Sequence, residues 1–205
     1  DIDNDKEYLI GDDIDIEDET NQKLVVKQLL KEKGFSTKKI DKLVSRYEEA
    51  GLLEDEAQDA LEDLKEIKEE KKKQPQKLLL TWMVNEPQLF DKLEGIIGPD
   101  DFYEQIYHGV ALLLFKQYEE EKAVIPGKIL NQYTDLEDQK KIAELFNTTL
   151  KISPLAEDRD KALNDIVRRV KEDSIEQQMN ATNDILRWQD LIKEKANLAK
   201  LHISL

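Results

Sequence analysis

Apolar residues recur three and four positions apart along most of this chain, the spacing of one face of an α-helix. Between Asn21 and Leu64 the pattern forms three short pieces. Leu24, Val25, Gln28 and Leu29 share one face; Ile40, Leu43, Val44 and Tyr47 make a second; Leu52, Leu53, Ala57, Ala60, Leu61 and Leu64 make a third. Gly34 and Gly51 are natural stops, and Ser36 or Thr37 is placed to cap the middle piece. Residues 21–64 are therefore expected to form a small three-helix segment. In 65–76 (KEIKEEKKKQPQ) only Ile67 is apolar, so this stretch reads as a charged linker or exposed helix extension, with the main boundary near Gln74.

Beyond the linker the apolar density rises. Leu78 to Val84 starts a helix that Asn85 and Pro87 interrupt, Leu89, Phe90 and Leu93 resume the face, and Gly95, Gly98 and Pro99 make a turn. Asp100 and Asp101 are placed as N-terminal acids of a buried helix carrying Phe102, Ile106, Val110, Leu113, Leu114 and Tyr118. Pro126 opens a short helix to Tyr133, and Asp135 caps another carrying Leu136, Ile142, Leu145, Phe146 and Leu150. Residues 77–152 thus form a helical bundle. After the break at Ser153 and Pro154, residues 155–205 hold a long amphipathic helix from Asp158 to Gln178. A further helix from Ile185 to Leu201 completes a C-terminal helical hairpin, expected to stand partly clear of the bundle. The LHISL ending is apolar, and exposed apolar ends dock on something. The expected fold class is all-α: a multi-helix bundle, a C-terminal hairpin and a small N-terminal three-helix segment.

Composition agrees with this pattern. Only 7 Gly and 5 Pro stand among 205 residues, and the long stretches are rich in Leu, Lys, Glu, Gln and Ala. With no Cys, disulfides and thiolate metal sites are excluded. There is neither an apolar run long enough for a membrane span nor a basic, apolar leader at the start, so a soluble cytoplasmic protein is expected. Because the chain opens on Asp1 rather than Met, it reads as a fragment or a processed form, whose catalytic parts would lie elsewhere.

The net charge of −15 is unevenly spread: residues 1–20 carry −9, residues 21–75 balance, and the rest carry −6. Phosphate backbones are repelled by such a surface, so no direct nucleic-acid binding is expected. The 21–64 segment, with 8 basic against 10 acidic residues, has a helix-turn-helix spacing but a single Arg46 among scattered lysines, which favours a structural or docking bundle over a DNA reader. Residues 1–20 read as an acidic tail. Asp1, Asp3 and Asp5 have the alternation of a calcium loop, but Lys6 stands where that loop needs Gly.

Candidate chemistry is sparse. The only histidines are His108, mid-helix in an apolar run, and His202, near the end; neither has a partner pattern for acid–base work. No Gly-rich phosphate loop, nucleophile elbow or HExxH is present. Glu119, Glu120 and Glu121 are a solvated face. No catalytic residue, metal ligand or cofactor is expected. Trp82 reads as core; Trp188, beside Arg187 in a polar helix, suits either burial or an interface anchor.

From Gln76 onward the chain resembles the helicase-binding C-terminal region of bacterial DNA primase, the DnaG family. The resemblance rests on QKLLLTWMVNEPQLFDKL, GPDDFYEQIYHGVALLLFKQYEEE, IPGKILNQYTDLEDQKKIAELFNTTL and LIKEKANLAKLHISL. It implies a non-enzymatic helical module that docks on the N-terminal domains of a DnaB-type hexameric replicative helicase and recruits primer synthesis to the fork. The family's zinc-binding and polymerase modules are missing, so the chain should make no primers alone. The second segment is similar also to the N-terminal collar domain of the helicase itself, an oligomerising module; an adaptor should instead be monomeric. Residues 1–75 do not match the upstream part of the primase. The hairpin supplies the expected partner surface: Ile185, Trp188, Leu191, Ile192, Leu198, Leu201, Ile203 and Leu205.

Overall fold

A computed structural model describes residues 14–150 and 155–205. The acidic start with Asp1, Asp3 and Asp5, and the Ser153–Pro154 break, lie outside the described residues. Nine α-helices and two 3-10 turns make up the regular structure, with no strand among the described residues, so the fold is all-α. The chain divides into two compact units between Glu70 and Lys71.

The first unit holds α1 (Glu19–Glu32), α2 (Thr37–Glu49) and the start of α3 (Leu53–Asn85). Asp18 caps α1 by accepting the Asn21 N–H at 3.0 Å, which satisfies one of the unpaired amides of the first turn. Gly34 (φ 82°) and Gly51 (φ 68°) end α1 and α2 in the left-handed region that costs other residues a steric penalty. Val25, Leu29, Ile40, Val44, Ala57 and Leu64 meet in a core of their own. Lys23 braces α1 to α2, reaching Glu19 and Glu48 at 2.8 Å each.

Residues 65–76 take the second of the two forms expected of them, a helix extension: they lie inside α3 and are helical. Lys, Glu and Gln lose little rotamer freedom in a helix, so the stretch needs no apolar stripe to stay helical. Pro75 is tolerated within it despite lacking an N–H to donate.

The second unit continues α3 to Asn85 and adds α4 (Leu89–Lys92), α5 (Gln105–Glu121), α6 (Pro126–Leu130), α7 (Leu136–Asn147), α8 (Ala156–Ala181) and α9 (Ile185–Asn197). Trp82, Phe102, Leu114, Leu145, Val167 and Ile203 belong to its main core. Pro126 occupies the first turn of α6, and the Asp135 carboxylate accepts the N–H groups of Glu137 and Asp138 at the start of α7. Thr81 Oγ1 lies 3.0 Å from the Leu145 carbonyl, tying α3 to α7. At Gly109 in α5 an added Cβ would lie 2.7 Å from the Tyr133 hydroxyl, which would have to shift.

Two details differ from the pattern reading. Asp100 and Asp101 belong to a separate 3-10 turn (Pro99–Asp101) before α5, and Phe102 is buried in the connection rather than in the helix. Asp101 instead accepts the Gly98 N–H and a 2.9 Å ion pair from Lys171 of α8, both partners being nearly buried. The long helix also does not leave the bundle from its start: Leu163, Val167 and Val170 of α8 are fully buried in the main core. Arg159 fastens that half of α8 to the end of α3, with Nη2 2.6 and 2.7 Å from the two Glu86 carboxylate oxygens.

Candidate partner-binding surface

The distal half of α8 and the whole of α9 form the hairpin. Thr182 closes α8, and Asp184 caps α9 by accepting the Leu186 N–H at 2.9 Å. Between the two helices the buried apolar contact is small: Ile175, Leu191 and Leu198, with Met179 half-buried beside them. Polar links surround it. Lys195 reaches Glu176 at 2.6 Å, Arg187 donates to the Gln178 side chain at 2.6 Å, and Lys171 lies 3.5 Å from Glu194.

Ile185, Trp188 and Ile192 are spaced i, i+3 and i+7 on α9 and so share one face; they are 73%, 44% and 41% exposed. Leu186 projects from the first turn about a quarter of the way around the helix and is 72% exposed. Sequence reasoning missed Leu186 because it falls off the stripe. Nine large apolar side chains are exposed among the described residues, and four lie in these eight residues. Single exposed apolar residues are ordinary, but this local concentration is not.

The other five expected surface residues serve the interior. Leu191 and Leu198 are buried between α8 and α9, Ile203 is buried in the main core, and Leu201 and Leu205 pack half-buried against that core. The apolar ending docks on its own bundle. Arg187, read as a companion of Trp188, is committed to Gln178 instead.

A small cluster of carboxylates lies on α8 where the hairpin begins. Burial, then the neighbouring Glu176 and Glu172 carboxylates, push the Asp173 carboxyl up to about 6, against the pull of Lys72 and Arg169. The hydrogen bond to Glu176 holds the Lys195 ammonium above its ordinary range.

His108 Nδ1 lies 3.0 Å from the Pro99 carbonyl, a bracing contact, and His202 Nε2 lies 3.4 Å from Ser204 Oγ at the surface. No cluster of three or more His, Asp or Glu able to hold a metal occurs among the described residues, and no described helix is long and apolar enough to cross a membrane. A groove of about 450 Å³ lies between α3 and α8, lined by Lys71, Pro75, Leu78, Ile166 and Arg169 among others, with no serine, threonine or histidine in its walls. Compared with family models, with curated proteins and with solved structures, the chain finds no match.

Proposed function

We propose that this chain is a non-catalytic adaptor, the helicase-binding region of a bacterial replicative primase, docking through its α8–α9 hairpin on the N-terminal domains of the hexameric replicative helicase. The observation that carries the docking mode is the exposed row Ile185, Trp188 and Ile192, with Leu186 exposed beside it, held on a helix whose inner face is already covered. An amphipathic helix with such a row suits a groove or a facing helix on a partner, with Trp188 as its anchor. The identity of the partner rests on the resemblance of residues 76–205 to the primase family.

Deleting residues 184–205 is a poor test, because it would also pull Ile203 out of the bundle core. Changing Ile185→Ser, Trp188→Ala and Ile192→Ser together leaves the interior untouched. The triple variant should no longer co-elute with the cognate helicase on a sizing column; undiminished co-elution sinks the reading. The same apolar row is also suited to self-pairing, as in a helicase collar. Sedimentation separates the two: an adaptor runs as a monomer, a collar as an oligomer.

A further inference from the structure

Residues 201–205 lie on the bundle as an irregular segment whose apolar side chains alternate. Ile203 is buried, Leu201 and Leu205 are half-buried, and His202 and Ser204 face solvent. Its main chain is held by side chains of α4 and α8. Asn164 Oδ1 accepts the Ile203 N–H at 2.8 Å, and Asn164 Nδ2 donates to the Ile203 carbonyl at 2.7 Å. One buried amide therefore satisfies both polar groups of the same residue, as a neighbouring strand would. Asp160 Oδ1 accepts the Leu205 N–H at 2.9 Å, and Lys92 Nζ donates to the Ser204 carbonyl at 2.9 Å. A second hydrogen bond from Asn164 Nδ2, to the Asp160 carbonyl at 2.7 Å, locks its orientation.

The position of this clamp matters for α9. That helix is 13 residues long, has Leu191 as its one buried residue, packed with Ile175 of α8 and Leu198, and runs into the tail through one short turn, Leu198–Lys200. A helix of this length is marginal without tertiary support. It is tethered at one end by the Thr182–Asp184 connection and at the other by the tail and by Arg168 of α8, whose Nε donates to the Leu198 carbonyl at 3.4 Å. A groove of about 380 Å³ lies beside the clamp, bordered by Asp160, Asn164, Arg168, Leu201 and His202, so the tail is open to solvent along that side.

We infer that Asn164 is a positioning residue: by gripping the main chain of Ile203 it straps the tail to α8, holds the C-terminal end of α9 in place, and so presents the exposed row at Ile185–Ile192 in one fixed orientation. The binding consequence rests on the docking reading; the strap itself does not.

The test uses the whole chain, with amide hydrogen exchange and affinity for the cognate helicase as readouts. Asn164→Ala should accelerate exchange of the α9 amides by about tenfold or more, leave the α5 amides unchanged, and weaken helicase binding by about tenfold. Ile203→Ala, on the other side of the clamp, should accelerate α9 exchange likewise while also loosening the core that its side chain helps fill, and for α9 the double variant should be no worse than the worse single one. If Asn164→Ala also perturbs α5, Asp160→Ala gives the milder version, losing the Leu205 hydrogen bond alone. Unchanged α9 exchange overturns the strap, and faster exchange with unchanged affinity overturns the positioning role. A wild-type chain that fails to bind the helicase overturns the docking reading instead, and the exchange rates still decide the strap.

Discussion

The bundle and the hairpin are built from the same residue types but hold together differently. In the bundle, helices α3, α5, α7 and α8 enclose Trp82, Phe102, Leu114 and Leu145, all fully buried, with cross-links such as Thr81 to Leu145 and Asp101 to Lys171 between them. In the hairpin, Ile175, Leu191 and Leu198 are the whole of the buried contact, and the remaining links are polar and mostly exposed. Exposed ion pairs contribute little, about 0–1 kcal/mol each. A large core gives one packing solution; an element resting on three buried residues should open first, and its outer apolar face is exposed.

Four substitutions test this contrast. The largest effect belongs to Trp82→Ala, which removes a fully buried indole and should destabilise the second unit by about 3–5 kcal/mol, measured by chemical denaturation. Loss of only a few tenths would mean that the bundle is not the cooperative body described. Leu191→Ala should cost about 2 kcal/mol, and that loss should appear as faster amide exchange confined to α9 and the end of α8. Acceleration spread equally through α5 would erase the distinction between the two regions.

Asp173 gives a smaller, pH-dependent effect. Its carboxyl titrates near 6 in the folded chain against an ordinary value of 3.8, so the folded state binds its proton more tightly than the unfolded chain does. Stability therefore falls as pH rises through this window, and the penalty is complete above about 6. Asp173→Asn should raise stability at pH 7 by about 1 kcal/mol after allowance for solvent screening, with the gain vanishing near pH 4. A gain that persists at pH 4 would assign it to packing instead. Smallest of all, Leu186→Ser should change stability by less than about 0.5 kcal/mol, since the side chain is 72% exposed. A larger loss in thermal unfolding would show that this residue packs internally.

Helical periodicity and end signals were readable where a helix carries both a stripe and a cap, as Pro126 in α6 and Asp135 in α7 do. Residues 65–76 stayed open between a linker and a helix extension because Lys, Glu and Gln form a helix through propensity alone, and without an apolar stripe there is no period to see. Asp101 looked like a helix-terminal acid because its true partner, Lys171, is 70 residues away. The same distance problem hid the clamp: an apolar ending advertises that it docks, but Asn164, 39 residues from Ile203, carries no local mark of its role. Of the eight expected surface residues, Ile185, Trp188 and Ile192 are those whose stripe position puts them outside, whereas Leu191 and Leu198 have the same apolar character and face inward. Helical spacing identifies a face, and only packing decides which side it turns to.

The Asn164 clamp also bears on how this stretch can drift in sequence. A segment held by its main chain, with alternate side chains inside, is read only at every second letter: positions 202 and 204 can change freely, while 201, 203 and 205 must stay apolar. Position 164 has no synonym, because Asp supplies the acceptor without the donor and Gln sets both one methylene too far away. In descendants of this chain, variation should therefore appear in the tail with a period of two, and at the helix position that reads it, not at all.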